Sequence, residues 1–287
     1  MRELVIISGK GGTGKTSIAA GFGFLAEDNV MADCDVDAAD LHILADPRTT
    51  HEEDFAGGVV ARIDPEKCTD CGACRDACRF EAISEEFSVD PIACEGCAVC
   101  FHVCPADAVV LEEPINGRWF ISDTRLGPMV HAALLPGAEN SGKLVALVRN
   151  QAKVLARKKD KNLVIVDGAP GVGCPVISSV TGADHVLVVT EPTLSGLHDM
   201  ERAIELVKGF HVPISVIINK YDINPEVTGQ IESFVVKVGA AAAGKIPFDR
   251  AVVEALVQKR CVTENGESPA GRSIREIWHN LERSVLS

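Results

Sequence analysis

The chain has 287 residues, 46% of them hydrophobic and 24% charged, enough for a full α/β core and a second small domain. Its 28 Lys and Arg against 41 Asp and Glu leave a net charge of −13 with no basic run, which argues against nucleic-acid binding by phosphate neutralisation. No stretch reaches the roughly 18 apolar residues of a membrane-spanning helix, and the chain enters a strand at once with no room for a signal peptide. The expected location is cytoplasmic, where eleven cysteines read as metal ligands before disulfides.

Leu4–Ile7 is an apolar run that predicts a buried strand. It leads into Gly9-Lys10-Gly11-Gly12-Thr13-Gly14-Lys15-Thr16, which matches the phosphate-binding loop G-x-x-x-x-G-K-[ST]. A helix is predicted from Ser17 to Ala26, so the loop has the strand–loop–helix setting it needs. Glycines let backbone N–H groups turn inward around a polyphosphate, and the helix N-terminus at Ser17 adds favourable dipole charge. Lys15 is placed to reach the β- and γ-phosphates, and the Thr16 hydroxyl to bind Mg²⁺.

Val30–Ala32 is the next predicted strand, followed by Asp33-Cys34-Asp35-Val36-Asp37. Acids just past a strand's C-terminal end lie where α/β folds bind ligands. Asp33 and Asp37 read equally as Mg²⁺ contacts or as cap and turn residues. Asp46 to Gly58 is polar and expected as loop, Val59–Ile63 as strand, Trp119–Ser122 as strand, and Leu126–Leu135 as helix bounded by Pro136-Gly137. Asn140 or Ser141 is the expected N-cap of a long helix reaching Lys158. Leu163–Asp167 has the Walker B pattern, a buried strand ending in an acid that holds a Mg²⁺ water, and Gly168–Gly171 follows as a flexible turn. Strands at His185–Thr190, Ile214–Ile218 and Lys245-Ile246 alternate with helices at Thr193–Phe210, from about Pro225, and at Ala251–Lys259. Repeated βαβ units with Val/Ile-rich strands imply a mostly parallel sheet covered by helices on both faces. Asn219 reads either as a base-edge contact or as a turn residue. Arg272–Leu286 is amphipathic, with Ile274, Ile277, Trp278, Leu281 and Val285 on one face. Its polar face mixes glutamates with arginines, which favours packing against the sheet over an anionic membrane.

Between two of these strands lies a segment of different character. Cys68-x2-Cys71-x2-Cys74-x3-Cys78 recurs 26 residues later as Cys94-x2-Cys97-x2-Cys100-x3-Cys104-Pro105, an internal duplication matching the bacterial ferredoxin run. Three thiolates spaced by two wrap one face of a [4Fe–4S] cube, and the fourth serves the other cluster. The expected ligand sets are therefore Cys68, Cys71, Cys74 and Cys104 for one cluster, and Cys94, Cys97, Cys100 and Cys78 for the other. Arg79 stands where a proline often follows the fourth cysteine. From Asp64 to Glu112 the segment carries eleven acids against three bases, a net of −8. The predicted organisation is a discontinuous P-loop domain, 1–63 and 113–287, with a two-cluster ferredoxin domain inserted at 64–112. Cys34 and Cys261 are expected as core or loop thiols and Cys174 as a buried thiol beside Pro175, with cluster ligation by Cys174 as the alternative.

KGGTGKT with its second lysine, DCDVDAADLH, the doubled cysteine block, NSGKLV, DGAPGVGCPV, EPTLSGLHDMERA and NKYD together resemble the deviant-Walker ATPases of the MinD/ParA/Mrp group, in the subgroup carrying an inserted ferredoxin domain. The resemblance covers nearly the whole chain. It implies an ATPase using Mg²⁺ and two [4Fe–4S] clusters, working as a homodimer or as a heterodimer with a related ATPase. Lys10 would reach the partner's nucleotide, Asp35 would orient the attacking water, and Asn219 would contact adenine flanked by Pro247 and Asp249. Three roles follow from it: cluster assembly or delivery, ATP-gated electron transfer as in the nitrogenase iron protein, and spatial organisation. The acidic insert suggests a redox or apo iron–sulfur partner with a basic surface; neither nucleic acid nor a membrane is expected as a partner. Replacing Lys15→Ala should abolish triphosphate hydrolysis, measured as phosphate release; a normal rate would remove the loop assignment.

Overall fold

The computed structural model describes residues 1–136, 138, 141–264 and 266–286. The elements in chain order are β1 (Arg2–Ser8), α1 (Lys15–Leu25), β2 (Asn29–Asp33), α2 (Leu41–Ala45), β3 (Arg48–Ala56), β4 (Val60–Ile63), α3 (Ala73–Asp76), α4 (Val99–Val103), β5 (Val109–Glu112), β6 (Ile115–Thr124) and β7 (Gly127–Leu134). They continue with α5 (Ser141–Lys158), β8 (Leu163–Pro170), α6 (Cys174–Val180), β9 (His185–Thr190), α7 (Leu194–Lys208), β10 (Ile214–Asn219), α8 (Pro225–Val238), β11 (Ala241–Ile246), α9 (Arg250–Val257) and α10 (Pro269–Leu281).

The main sheet has nine strands in the order β11-β10-β9-β1-β8-β2-β7-β6-β3. Every pairing from β11 to β7 is parallel, as the βαβ pattern predicts. β1, β2 and β9 are buried along nearly their full length, so their apolar runs serve two faces. Leu4, Ile6, Met31, Ile165, Leu187 and Ile217 pack on one side with Ile18 and Phe22 of α1 and with Ile274, Ile277 and Trp278 of α10. The Phe22 and Trp278 rings lie 5.1 Å apart. The apolar face of α10 is thus already buried, each large side chain contributing roughly 1.5–3 kcal/mol. The packing reading of that helix holds.

Two elements depart from the sequence expectation. Arg48–Ala56, read as loop, is the edge strand β3, with Phe55 alone buried. Its polarity marks an edge protected by charge. Within Leu126–Leu135, expected as helix, Gly127–Leu134 is the strand β7. Cα pairing of Met31 with Met129 and of Ala32 with Val130 overrides the local propensity. β8 also runs on through Gly168, Ala169 and Pro170, so the expected flexible turn begins only at Gly171, whose φ is 95°. The N-cap expected at Asn140 or Ser141 and the side chain of Val285 lie outside the described residues.

The chain divides into two compact units, one comprising Met1–Glu53, Trp119–Ala133 and Ser141–Ser287, the other Asp54–Arg118 with a segment from Leu134. In the second unit β4 pairs antiparallel with β5, joining Val60 to Glu112 and Ile63 to Val109. The rest of the unit is mostly turns and two short helices.

One buried ion pair secures the first unit. Glu3, 2% exposed, receives Arg149 Nε at 3.0 Å on one oxygen and Arg149 Nη2 at 2.5 Å on the other, while Lys153 stands 2.9 Å away. Arg149 also donates to the Ser178 and Thr181 carbonyls, tying α5 to the end of α6. Arg149→Met should cost about 3 kcal/mol by leaving the buried Glu3 to Lys153 alone and the Ser178 and Thr181 carbonyls without their donor, and adding Glu3→Leu should recover part of it. Urea unfolding of the single and double variants checks this.

Candidate functional site

The strand order sets β2, β8, β1, β9 and β10 side by side, so the residues at their C-terminal ends share one rim. Asp33 ends β2, Asp167 lies near the end of β8, the phosphate loop follows β1, Glu191 follows β9, and Asn219 ends β10. Asp33 and Asp167 are direct neighbours in the β2–β8 register.

Lys15 is 6% exposed and lies 2.6 Å from Asp167 Oδ1 and 3.5 Å from Asp35 Oδ2. Burial alone would lower its pKa, but the Asp167 and Asp35 carboxylates outweigh that and hold it raised. The two buried aspartates are short of partners. Asp33 Oδ2, Asp167 Oδ2 and Thr13 Oγ1 are buried with no hydrogen-bond partner. Burial and the Asp167 charge push the Asp33 carboxyl well above the usual range, and burial likewise raises Asp35 in spite of Lys15. Two buried carboxylate oxygens left unsatisfied beside one ammonium suit a divalent cation held through them or through its waters. Thr16 and Asp35 line the same cavity as Gly11–Ser17. The residues expected to hold Mg²⁺ therefore fit it, and the buried Asp33, left open by the sequence, joins them. Ile43, Leu256 and Val257 add an apolar wall that sequence reading missed. Its signal is the exposed apolar face of α9, where Val257 is 81% exposed.

Lys10 does not line that cavity. Its Nζ lies 2.8 Å from Glu191 Oε1 and donates to Ser195 Oγ at 3.0 Å. Gly9 packs against α7, where an added Cβ would come within 2.3 Å of the Asp199 backbone. Asn219 braces the loop by donating to the Thr13 carbonyl at 2.8 Å. A Cβ on Gly14, at φ 92°, would strike that amide at 2.4 Å. Asp249 caps α9, accepting from Ala251 N at 2.9 Å, and its second oxygen takes Ser268 Oγ at 2.6 Å. Pro247 borders a separate cavity with Tyr221 and Arg272. Of the three expected adenine contacts, then, Asn219 alone touches the loop.

The second unit repeats its backbone as well as its cysteines. Asp70 and Gly96, Gly72 and Ala98, and Glu81 and Asp107 all have positive φ, and each pair is 26 residues apart. Cys68 N donates to Asp64 O at 3.0 Å as Cys94 N donates to Asp90 O at 3.1 Å. The two repeats also exchange ends, because Asp64 N donates to Ala108 O and Asp90 N to Ala82 O, both at 2.8 Å. Consequently one cavity is lined by Cys68, Cys71 and Cys74 with Cys104, and a second by Cys94, Cys97 and Cys100 with Cys78. Burial raises the Cys74 thiol, and the charges of Cys104 and Cys68 push the same way. Burial raises Cys100 too, reinforced by Cys94 and Cys97. Among the described residues no three His, Cys, Asp or Glu side chains are grouped as ligands of a single metal ion. Gly96, at φ 63°, sits where a Cβ would meet Val59 O at 2.2 Å.

Outside this unit, Cys34 and Cys261 are buried as expected. Cys174 is exposed at the start of α6, not buried; the residue that turns inward from that first turn is Val176.

Residues 4–262 match the family model described as the CobQ/CobB/MinD/ParA nucleotide binding domain. An uncharacterised protein of Methanocaldococcus jannaschii is 34% identical over 99% of this chain and 97% of its own length. An iron–sulfur cluster carrier protein of Pyrococcus furiosus is 29% identical over 42% of this chain and 45% of its own. The fold is similar to that of the septum site-determining protein MinD complexed with Mg-ADP from Pyrococcus horikoshii, with a TM-score of 0.60 at 15% identity over 98% and 96% of the two chains. Asp33→Asn should weaken the Mg²⁺ dependence of triphosphate binding by about tenfold, read as the midpoint of a Mg²⁺ titration.

Proposed function

The chain belongs to the CobQ/CobB/MinD/ParA nucleotide-binding family, and on that premise we propose that it hydrolyses ATP to control iron–sulfur chemistry in an inserted two-cluster ferredoxin domain. The observation that carries the second half of this reading is the pair of cavities, each lined by three cysteines of one repeat and the fourth of the other. A [4Fe–4S] cube takes one thiolate at each iron corner, so its ligands ring a volume and need not converge on a point. Cys68, Cys71, Cys74 and Cys104 would hold one cluster, and Cys94, Cys97, Cys100 and Cys78 the other. When bound, such clusters supply one-electron redox chemistry. Buried backbone around Cys74 and the N–H of Ala108, 3.3 Å from Cys104 Sγ, would tune them.

At the loop, the backbone N–H groups of Gly11–Ser17 would cradle the phosphates of ATP. Lys15 would neutralise their charge, and Thr16, Asp33 and Asp167 would hold Mg²⁺ directly or through water. Asp35 would orient the attacking water. Two protomers, identical or related, would sandwich two nucleotides, with Lys10 reaching the partner's phosphate. Hydrolysis then relaxes the segments after β2 and β8, which in the chain bracket the insert.

Cluster assembly or delivery is the favoured role, supported by the similarity to the iron–sulfur cluster carrier protein of Pyrococcus furiosus. The eight cysteines built into two cavities by crossed repeats favour retained clusters, and so ATP-gated electron transfer as the second reading. Among the described residues no helix is long and apolar enough to cross a membrane.

Anaerobic reconstitution should load about eight irons per chain. Cys104→Ser and Cys78→Ser should each lose one cluster, seen as iron content and electron paramagnetic resonance. Transfer of iron–sulfur to an apo-acceptor on adding ATP supports delivery, and a shift in potential with iron retained supports electron transfer. A chain that loads no cluster would overturn the reading.

A further inference from the structure

Glu191 stands at the middle of three adjacent strand ends, with the phosphate loop after β1 on one side and Lys220 after β10 on the other. Its carboxylate is shared between two ammonium groups. Lys10 Nζ lies 2.8 Å from Oε1, and Lys220 Nζ lies 3.0 Å from Oε2. Both lysines belong to the loop's mouth, Lys10 by sequence and Lys220 because its ammonium stands 3.5 Å from the Gly12 carbonyl. Lys220 is held there at some backbone cost. It sits at φ 56°, left-handed for a residue with a Cβ, and its N–H is fixed by Asn219 Oδ1 at 3.0 Å. The hydroxyls of Thr193 and Ser195 complete the ring around Lys10, at 3.3 and 3.0 Å.

We infer that Glu191 is an exchangeable counter-ion of the phosphate loop, holding Lys10 and Lys220 and yielding Lys10 to a polyphosphate. Two lysines share one carboxylate, so the cluster keeps an excess of positive charge at the loop mouth. The lysines are 28% and 31% exposed, open enough to change partners, whereas Glu191 is 16% exposed and held in place. Burial alone would raise the Glu191 pKa, but the hydrogen bonds from Lys10 and Lys220 hold it lowered, so the carboxylate stays charged. A triphosphate brings several charges against its one, and phosphate oxygens accept charge-assisted hydrogen bonds as well as a carboxylate does. Glu191 acts through Lys10 and Lys220, so it is a positioning residue. The inference rests on the nucleotide site alone and stands or falls apart from the iron–sulfur reading.

Binding of fluorescent adenosine mono-, di- and triphosphates to the full chain tests it. Glu191→Gln, which keeps the shape and removes the charge, should tighten triphosphate binding about three- to tenfold, the scale of one or two partly exposed ion pairs. The gain should be smaller for the diphosphate and absent for the monophosphate. In a Lys10→Ala background the gain should shrink. Should Glu191→Gln not fold, Glu191→Asp, which draws the carboxylate back by one methylene, carries the same expectation. Weaker binding, an equal change for all three nucleotides, or a gain undiminished without Lys10 would overturn the inference.

Discussion

Everything at the rim of the sheet depends on one buried imbalance of charge. Lys15 is the ammonium held between Asp167 and Asp35, and Asp33 lies beside them in full burial. Two buried carboxylates and a half-buried third beside one lysine leave Asp33 Oδ2 and Asp167 Oδ2 without partners, and charge removed from water costs several kcal/mol per ion unless it is compensated. The parallel register of β2 and β8 enforces the crowding by setting Asp33 opposite Asp167. The sheet thereby stores a demand for a cation at the place where the phosphate loop receives its ligand.

The same logic, with the sign reversed, governs the mouth of the loop. There Lys10 and Lys220 outnumber Glu191, so the outer rim is short of negative charge while the inner rim is short of positive charge. A magnesium–polyphosphate complex carries both complements in one molecule.

Much of the site was legible because its chemistry is local in sequence. The loop and the acid near the end of β8 are each set within a few residues, and each follows the strand its motif requires. What was illegible depended on partners distant in the chain. β7 is a strand because β2 lies beside it, and β3 is a strand because an edge tolerates charge that a central strand would not. Asp33 could not be told from a turn residue until its burial was known. Glu191 opens one of the stretches that carry the resemblance but has no role assigned by it, and its role emerges only where β1, β9 and β10 end together. Asp249 combines both kinds of contact, capping α9 through Ala251 near it in the chain and meeting Ser268 from nineteen residues away.

The crossed repeats of the second unit have a consequence for how the protein is made. Each cavity borrows its fourth cysteine from the other half, and the exchange is sealed by Asp64 meeting Ala108 and Asp90 meeting Ala82. As the chain leaves the ribosome, the first cavity cannot be completed before Cys104 emerges, and the second waits for Cys100. Both therefore close almost together, at the end of the segment's synthesis. Half of this unit is not a smaller version of it, so a chain that ends or shifts frame before Cys100 forfeits both cavities at once.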